Sequence, residues 1–308
     1  MCYLFILAAI VFYLILSFEQ QHSVAEHIRG YTHQQKGTDE RTSGPSNEDY
    51  QGYHSQWGQD RYVANYLRTL GGPPGIYIEL GANDGLTHSN TAYFEQILSR
   101  QGLCIEPTNA NYKRLVVNRP TCKSVYGGVH NACPGATREF TTFDAPDSGM
   151  SGWTDTFAFG SKALAGYEKG GWTLTKEQVP CYAMSTLLDE NGFKSSPIDY
   201  LSLDTEGSEL LILKSFGFET LCSKDATLSC TRKPKVIQVE IRREFVFNGK
   251  ETVQKKEDNR NYLAEMAVVN YLQSHGYEIS REFSAPYRPK YHNVKSFDLL
   301  FVRSVDGA

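Results

Sequence analysis

The chain has 308 residues, of which 40% are hydrophobic, and this is enough to build one large domain. Its formal net charge is -4 and no basic stripe dominates any segment, so nucleic acid is not expected as a partner. The acidic residues are dispersed along the chain, which argues against an acidic tail.

The N-terminal segment is the longest apolar part of the chain. Residues 2–18, CYLFILAAIVFYLILSF, carry no charge. They are slightly fewer than the ~20 residues that a bilayer span takes. We expect residues 1–18 to be a signal-anchor or, alternatively, a cleaved signal peptide. Both interpretations place the rest of the chain in the secretory pathway, as a Golgi or endoplasmic reticulum membrane protein or, after cleavage, as a secreted one.

A polar segment follows the apolar one. Residues 19–54 contain Gln, His, Glu, Ser, Gly and Lys with few large aliphatic side chains. Such a composition buries too little apolar surface to fold, so we expect a disordered stem. The globular part is then residues 55–308.

Six of the seven cysteines lie beyond the apolar segment, where an oxidising lumen would favour disulfides. Cys122–Cys133 and Cys222–Cys230 are expected as local bridges, because each pair closes a short loop. Cys104 and Cys181 lie in apolar, strand-like contexts and are as well explained by free buried thiols. The sequence alone does not determine the connectivity.

Strand and helix patterns alternate from residue 55 onward. The order is strand 75–80, helix 89–100, strand 102–107, helix 109–119 and strand 122–129. This alternation is typical of a parallel sheet with crossover helices.

Residues 130–180 interrupt the alternation and are rich in Gly, Thr and aromatic residues. We expect an insertion over one edge of the sheet, serving as a substrate lid. Within it, REFTTFD (138–144) predicts a strand and SGMSGW (148–153) a loop.

The alternation returns after the insertion. The order is helix 185–192, strand 198–204, helix 208–216, strand 235–241 and helix 262–276, followed by strands 277–283 and 297–303. The last two strands have no helix between them, which predicts an antiparallel pair at the sheet edge. The expected fold class is therefore α/β, with a doubly wound, mostly parallel sheet and an antiparallel edge strand.

The first candidate site is the stretch ELGANDG, from Glu79 to Gly85. Gly81 and Gly85 permit a tight turn and a close backbone approach to a ligand. The stretch matches neither a dinucleotide GxGxxG fingerprint nor a P-loop. An acid two residues before the first glycine suits a ligand with an amino group, although a purely structural glycine turn would explain this loop alone.

The second candidate is Glu106, at the end of the next strand. A carboxylate there can accept hydrogen bonds from both hydroxyls of a ribose. Glu79 and Glu106 are 27 residues apart, which is one strand–helix–strand unit. The pair is more informative than either acid, since each alone is also explained as a charge at a strand end.

The third candidate is the stretch LSLDTEGSE. Asp204 ends an apolar strand and Glu206 lies in the following turn, so either acid could act as a general base or hold a cationic ligand. Helix capping is the alternative, and it explains Glu209 better. Asp204 and Glu240 could offer oxygen ligands to a metal, but the sequence contains no dedicated cluster and we expect none.

The fourth candidate is His88, in THSN just after the glycine loop. It is equally consistent with a base or cofactor contact and with a residue of the helix-capping region.

These motifs together resemble the FkbM family of S-adenosylmethionine-dependent methyltransferases. The resemblance covers about residues 55–303 and rests on SQWGQDRYV, YIELGANDGLTHSNTAYFE, GLCIEP, NYKRLVVNR and IDYLSLDTEGSELLILKSF, in the family's order. It implies a Rossmann-like methyltransferase fold with S-adenosylmethionine as the cofactor.

The resemblance also implies roles for the candidate residues. The residues that would hold the methionine part of the cofactor are Glu79, Gly81, Asn83, Asp84 and Gly85. Glu106 would bind the ribose, and Asp204 and Glu206 would line the reaction centre. The insertion would contact the acceptor.

The expected function is therefore an O-methyltransferase that acts on a hydroxyl, such as a sugar of a glycan or glycolipid in the secretory pathway. The glycan is suggested by the anchor and stem, by analogy with other glycan-modifying enzymes. One alternative is a non-enzymatic membrane trafficking protein similar to the Star proteins of insects, which carry a related domain. A nicotinamide-dependent oxidoreductase is another, although the glycine fingerprint is missing.

Overall fold

The structure, a computed structural model, describes residues 52–133, 136–144, 151–156, 173–218, 233–244, 246–247, 252–253, 259–284 and 294–304. The expected anchor (1–18), most of the expected stem and the Cys222–Cys230 pair lie outside these ranges. Among the described residues, no helix combines the length and apolar character needed to cross a membrane.

The strands of the described residues are numbered in chain order. They are β1 (Ile76–Leu80), β2 (Gly102–Glu106), β3 (Lys123–Tyr126), β4 (Gly128–Val129), β5 (Thr137–Asp144), β6 (Ser151–Trp153), β7 (Thr173–Tyr182), β8 (Ile198–Leu203), β9 (Val236–Glu244), β10 (Val246–Phe247), β11 (Thr252–Val253), β12 (Tyr277–Ser284) and β13 (Val294–Arg303). The helices are α1 (Gln59–Leu70), α2 (Ala92–Gln96), α3 (Asn109–Asn118), α4 (Met184–Glu190), α5 (Glu209–Ser215) and α6 (Asn259–Ser274).

Seven strands form the main sheet in the order β12-β13-β9-β8-β1-β2-β3. The pairs β2–β3, β1–β2, β1–β8 and β8–β9 are parallel, whereas β13 is antiparallel to both β9 and β12. The first half of the chain therefore extends the sheet from β1 to β3, and the second half extends it in the opposite direction, from β8 to the β12 edge. This confirms the predicted doubly wound α/β fold, and the antiparallel pair lies at the edge as expected, with β12 outermost.

Helix α1 covers one face of the sheet and was not predicted. Its buried residues Val63, Ala64 and Leu67 share one helical face and pack in the same apolar core as Tyr77 and Tyr200 of β1 and β8. The Gln59 side chain donates a hydrogen bond to Asp298 of β13. Gln59 of the SQWGQD motif thus links the start of the domain to β13, which lies next to the edge strand β12.

The last residues of the expected stem, which ends at residue 54, contact the folded domain. Tyr53 stacks on Tyr93 of α2 with 4.3 Å between ring centroids. The backbone N–H of His54 donates to the Asp60 carboxylate at 2.7 Å. Asp60 therefore holds the chain that precedes α1.

The insertion forms a second sheet in the order β4-β7-β5-β6. Strand β5 confirms the predicted strand 138–144, but the loop expected at 148–153 was wrong for its last three residues, which form β6. Ser and Gly have low strand propensity, yet Trp153 pairs with Phe140 across the strands, with ring centroids 5.2 Å apart. Pairing with β5 therefore makes residues 151–153 a strand.

Helix α2 is shorter than predicted. The expected helix covered residues 89–100, whereas α2 spans Ala92–Gln96. Ser89, Asn90 and Thr91 do not enter the helix because they donate hydrogen bonds to the Glu79 carboxylate.

The disulfides differ from the expected local bridges. Cys104 pairs with Cys122 and Cys133 pairs with Cys181, with Cα atoms 6.3 and 5.6 Å apart. The expected Cys122–Cys133 bridge was therefore wrong, as was the interpretation of Cys104 and Cys181 as free thiols. Closeness along the chain misled the prediction, since parallel pairing brings β2 beside the start of β3 and sheet pairing brings β7 beside β4.

Candidate functional site

A cavity of about 1110 Å³ lies at the carboxyl ends of β1, β2 and β8, at the point where the strand order reverses. It is lined by the loops that follow these strands and, on the opposite wall, by the second sheet. The predicted site residues that line it are Glu79, Gly81, Asn83, Asp84, His88, Glu106, Asp204 and Glu206. The fold therefore brings the four separate candidate stretches to one place.

Gly81 allows the loops after β1 and β8 to touch. Its φ is +77°, and a Cβ atom at this position would lie 2.0 Å from the backbone oxygen of Asp204. A side chain would thus be both strained and in collision with backbone. The first glycine of the motif places Asp204 next to the glycine loop.

Gly85 has a packing role instead. It is not among the residues that line the cavity, and a Cβ atom there would meet Cγ of Arg119 at 2.7 Å and Cδ1 of Leu115 at 2.8 Å. The second glycine lets the loop lie directly on α3. Its predicted cofactor contact stays a prediction.

The Glu79 carboxylate is surrounded by donors from its own chain. It accepts hydrogen bonds from the Ser89 hydroxyl at 2.9 Å, from the backbone N–H of Asn90 at 2.7 Å and from the Thr91 hydroxyl at 2.7 Å. Arg119 forms an ion pair with it at 3.3 Å. Glu79 therefore organises the loop that follows β1, and its predicted contact with a ligand amino group stays a prediction.

Arg119, which supports the loop after β1, is one of the residues that sequence reasoning missed. Its fully buried guanidinium pairs with Glu95 and Glu79 and donates to the backbone oxygen of Gly85 at 3.1 Å and to the Thr91 hydroxyl at 3.1 Å. It directly follows α3, in VVNRP, and no local pattern distinguishes it from an exposed arginine at a helix end.

Glu106 connects the first two candidate loops. Its carboxylate accepts hydrogen bonds from the backbone N–H of Asn83 at 2.9 Å and from the backbone N–H of Thr108 at 2.9 Å. Burial raises the pKa of Glu106 to about 7, although the hydrogen bonds from Thr108 and Asn83 act in the opposite direction. The carboxylate is held at the cavity wall, with a charge that changes near neutral pH.

Asp204 follows the last residue of β8 and is exposed at the cavity, whereas Glu206 is buried and has a φ of +58°. One carboxylate oxygen from each of Asp204, Glu206 and Glu240 lies within 4.8 Å of the others. These are oxygen ligands of the kind that Mg²⁺ or Ca²⁺ binds, but acidic groups also cluster without a cation. The prediction that the site holds no metal stays a prediction.

Glu209 caps the turn, as the sequence suggested. Its carboxylate accepts hydrogen bonds from the backbone N–H groups of Thr205 and Gly207, each at 3.1 Å. This interaction fixes the turn that carries Glu206.

His88 and Asn90 lie on the loop between β1 and α2, and both line the cavity. His88 has a φ of +58° and forms an isolated strand-like bridge with Ser55. Asn90, which sequence reasoning did not select, donates its side-chain N–H to the Ser202 hydroxyl at 3.1 Å. A single polar residue ahead of a helix gives no signal beyond ordinary capping.

Comparison with known proteins identifies one family. The description "Methyltransferase FkbM domain" matches residues 79–279, which includes every predicted site residue. No curated protein sequence matches the chain.

Solved structures of low identity are similar to this one. The chain aligns with the N-terminal domain of human METTL16 in complex with SAH at 11% identity and a TM-score of 0.33, covering 79% of this chain and 67% of that one. It also aligns with precorrin-6y C5,15-methyltransferase from Geobacter metallireducens GS-15 at 9% identity and a TM-score of 0.33, covering 79% and 87%. Likenesses this distant carry no argument about function.

Proposed function

Because the chain belongs to the FkbM methyltransferase family, we propose that it transfers a methyl group from S-adenosylmethionine to a hydroxyl oxygen of an acceptor. The observation that carries this proposal is the single cavity in which the glycine loop and Glu106 face Asp204 and Glu206. The glycine loop and Glu106 suit a nucleoside-bearing cofactor, and Asp204 beside the glycine loop is a candidate base.

The residues of the cavity fit this cofactor. The cavity volume of about 1110 Å³ exceeds the several hundred Å³ that pockets for such ligands occupy. Glu106 would hold the ribose, and the glycine loop with Glu79, Asn83 and Asp84 would hold the methionine part. When bound, S-adenosylmethionine supplies a methyl group that is activated by a positively charged sulfur.

Asp204 would act on the acceptor. Asp204 is exposed and lines the cavity, and its backbone oxygen lies against Gly81 of the glycine loop. As the acceptor oxygen bonds to the methyl carbon and the bond from that carbon to sulfur breaks, leaving neutral S-adenosylhomocysteine, Asp204 would accept the proton of the hydroxyl. Most of the remaining rate acceleration would come from holding the hydroxyl in line with the methyl group.

Replacement of Asp204 tests the proposal. We expect Asp204→Asn to abolish turnover but to leave S-adenosylmethionine binding, measured by calorimetry, largely unchanged. Asp189→Asn, an exposed acid on α4, is the matched control and should keep both. Equal loss of binding and turnover in Asp204→Asn would make Asp204 structural. A wild-type protein that does not bind S-adenosylmethionine would contradict the proposal and favour the trafficking role.

We further propose that the enzyme works in the lumen of the secretory pathway, anchored by residues 1–18, and that its acceptor hydroxyl belongs to a glycan or glycolipid. The disulfides Cys104–Cys122 and Cys133–Cys181 support an oxidising compartment. Protease protection of the full chain in sealed microsomes would test this, since digestion of the domain without detergent would contradict it.

A further inference from the structure

The second sheet presents two rows of side chains to the cavity. One row crosses the strands β6, β5 and β7 as Trp153, Phe140 and Glu177, and the next crosses them as Ser151, Thr142 and Thr175. All six line the cavity. Trp153 and Phe140 are buried, so the polar side chains are the part of these two rows that a ligand can contact.

The second row is a line of three hydroxyls on adjacent strands. Because neighbouring strands lie about 4.8 Å apart, the three hydroxyls extend over about 10 Å. The Thr142 hydroxyl donates a long hydrogen bond, 3.4 Å, to the backbone oxygen of Thr175. This wall offers several donors and acceptors to one molecule, in a fixed geometry.

Contacts at both ends hold this wall over the reaction centre. The Thr156 hydroxyl, just after β6, lies 3.2 Å from the Ser208 hydroxyl in the turn that follows Glu206. The Trp153 indole donates to the backbone oxygen of Val129 at 3.1 Å. The Cys133–Cys181 disulfide joins the chain after β4 to β7. These contacts attach the second sheet to the turn after β8 and to the chain at β4, and both segments line the cavity.

The charges around this wall are acidic. Among the described lining residues, the second sheet contributes the acid Glu177 and the loop after β8 contributes Asp204 and Glu206, whereas neither segment contributes a lysine or arginine. The lining cations are Lys113 and Arg114, which lie on α3 at the glycine-loop side. An anionic acceptor would be repelled at the reaction centre.

From the hydroxyl row and its charge, and resting on the proposed function, we propose that the second sheet is the acceptor subsite and that the acceptor is an uncharged, polyhydroxylated molecule, a neutral carbohydrate. Ser151, Thr142 and Thr175 bind its hydroxyls. Asp204 takes the proton of the one that is methylated.

The first experiment identifies the acceptor class. The full chain is incubated with S-adenosylmethionine labelled in the methyl group and with size-matched neutral, sulfated and phosphorylated oligosaccharides, a phenol and a short RNA. We expect label on the neutral oligosaccharides. Transfer to the phenol, the RNA or mainly the charged sugars would overturn the inference but leave a methyltransferase. Transfer to no acceptor would count against the proposed function as well.

The second experiment tests the residues. Thr142→Val and Ser151→Ala each remove one hydrogen-bonding group, so we expect the KM for the neutral oligosaccharide to rise about 3- to 10-fold, with the affinity for S-adenosylmethionine unchanged. The matched control is Thr137→Val on β5, whose side chain lies on the opposite face of the same sheet. An unchanged KM in both variants, or an equal rise in the control, would overturn the assignment.

Discussion

At the scale of a single residue, the Glu106 carboxylate is expected to make the affinity for S-adenosylmethionine depend on pH. Burial raises its pKa to about 7, and in the proposed role of Glu106 the ionised form would offer an acceptor to both ribose hydroxyls. We expect S-adenosylmethionine to bind up to about ten-fold more tightly at pH 8 than at pH 6. Calorimetry at both pH values measures this. Glu106→Gln should bind S-adenosylmethionine weakly at both pH values. The control is Glu190→Gln at the exposed end of α4, which should bind as wild type does.

The same pKa affects stability. A carboxyl in the unfolded chain has a pKa of about 4.3, so the folded state holds the Glu106 proton more tightly. Its contribution to the free energy of unfolding is fully present below about pH 4.3 and is lost as the pH rises through about 7. Glu106→Gln should therefore reduce the decline of stability between pH 5 and 8 in urea titrations. An unchanged decline would mean that Glu106 is ionised throughout this range.

Gly81 provides a second test at the residue scale. A Cβ atom would meet the Asp204 backbone oxygen at 2.0 Å, so we expect Gly81→Ala to lower the free energy of unfolding by roughly 3 kcal/mol. Gly192→Ala is the matched control, since Gly192 has a φ of +83° and a Cβ atom there would have nothing within 4 Å. It should cost about 1 kcal/mol from backbone strain alone. Equal losses would show that the loops can separate without cost.

At the scale of elements, the loop between β1 and α2 depends on Arg119. This buried side chain holds Glu79 and Glu95 and reaches the loop through Gly85 and Thr91. Removing it would leave two acids buried without their cation. We expect Arg119→Met to lower the free energy of unfolding by about 3–5 kcal/mol.

Urea unfolding measures this loss. Arg119→Lys keeps the charge without the planar fork and should fall between wild type and Arg119→Met. Arg68→Met, on the exposed face of α1, should change stability by less than about 0.5 kcal/mol. A small effect of Arg119→Met would show that the loop is held by the Glu79 hydrogen bonds alone.

The two disulfides act on the whole molecule. By loop length, opening the bridges that close 18 and 48 residues should cost up to about 3 and about 4 kcal/mol. We also expect Cys133→Ala with Cys181→Ala to raise the acceptor KM, because that bridge holds the second sheet, the proposed acceptor subsite. Cys104→Ala with Cys122→Ala should lower the free energy of unfolding but leave the acceptor KM unchanged. Alkylation and mass spectrometry of the native protein check the pairs, and free thiols at these positions would contradict them.

Much of the fold was accessible from the sequence because its signals are local. The apolar strands, the acids at their ends and the glycine turn are short patterns, and the rule that ligands bind at the carboxyl ends of parallel strands converts them into a site. Glu79, Glu106 and Asp204 were selected as candidates this way, and all three line one cavity. The length of α2 was misjudged because Ser89 and Thr91 bind Glu79 in preference to extending the helix.

The sequence by itself determined the class of sheet, the positions of the cavity acids and the membership of a family, because each depends on residues close together in the chain. Only the tertiary structure decided the disulfide pairs, the buried position of Arg119 and the position of the second sheet at the cavity. These depend on which distant segments pair side by side, and the packing of a sheet fixes that choice through contacts that no short stretch of sequence records.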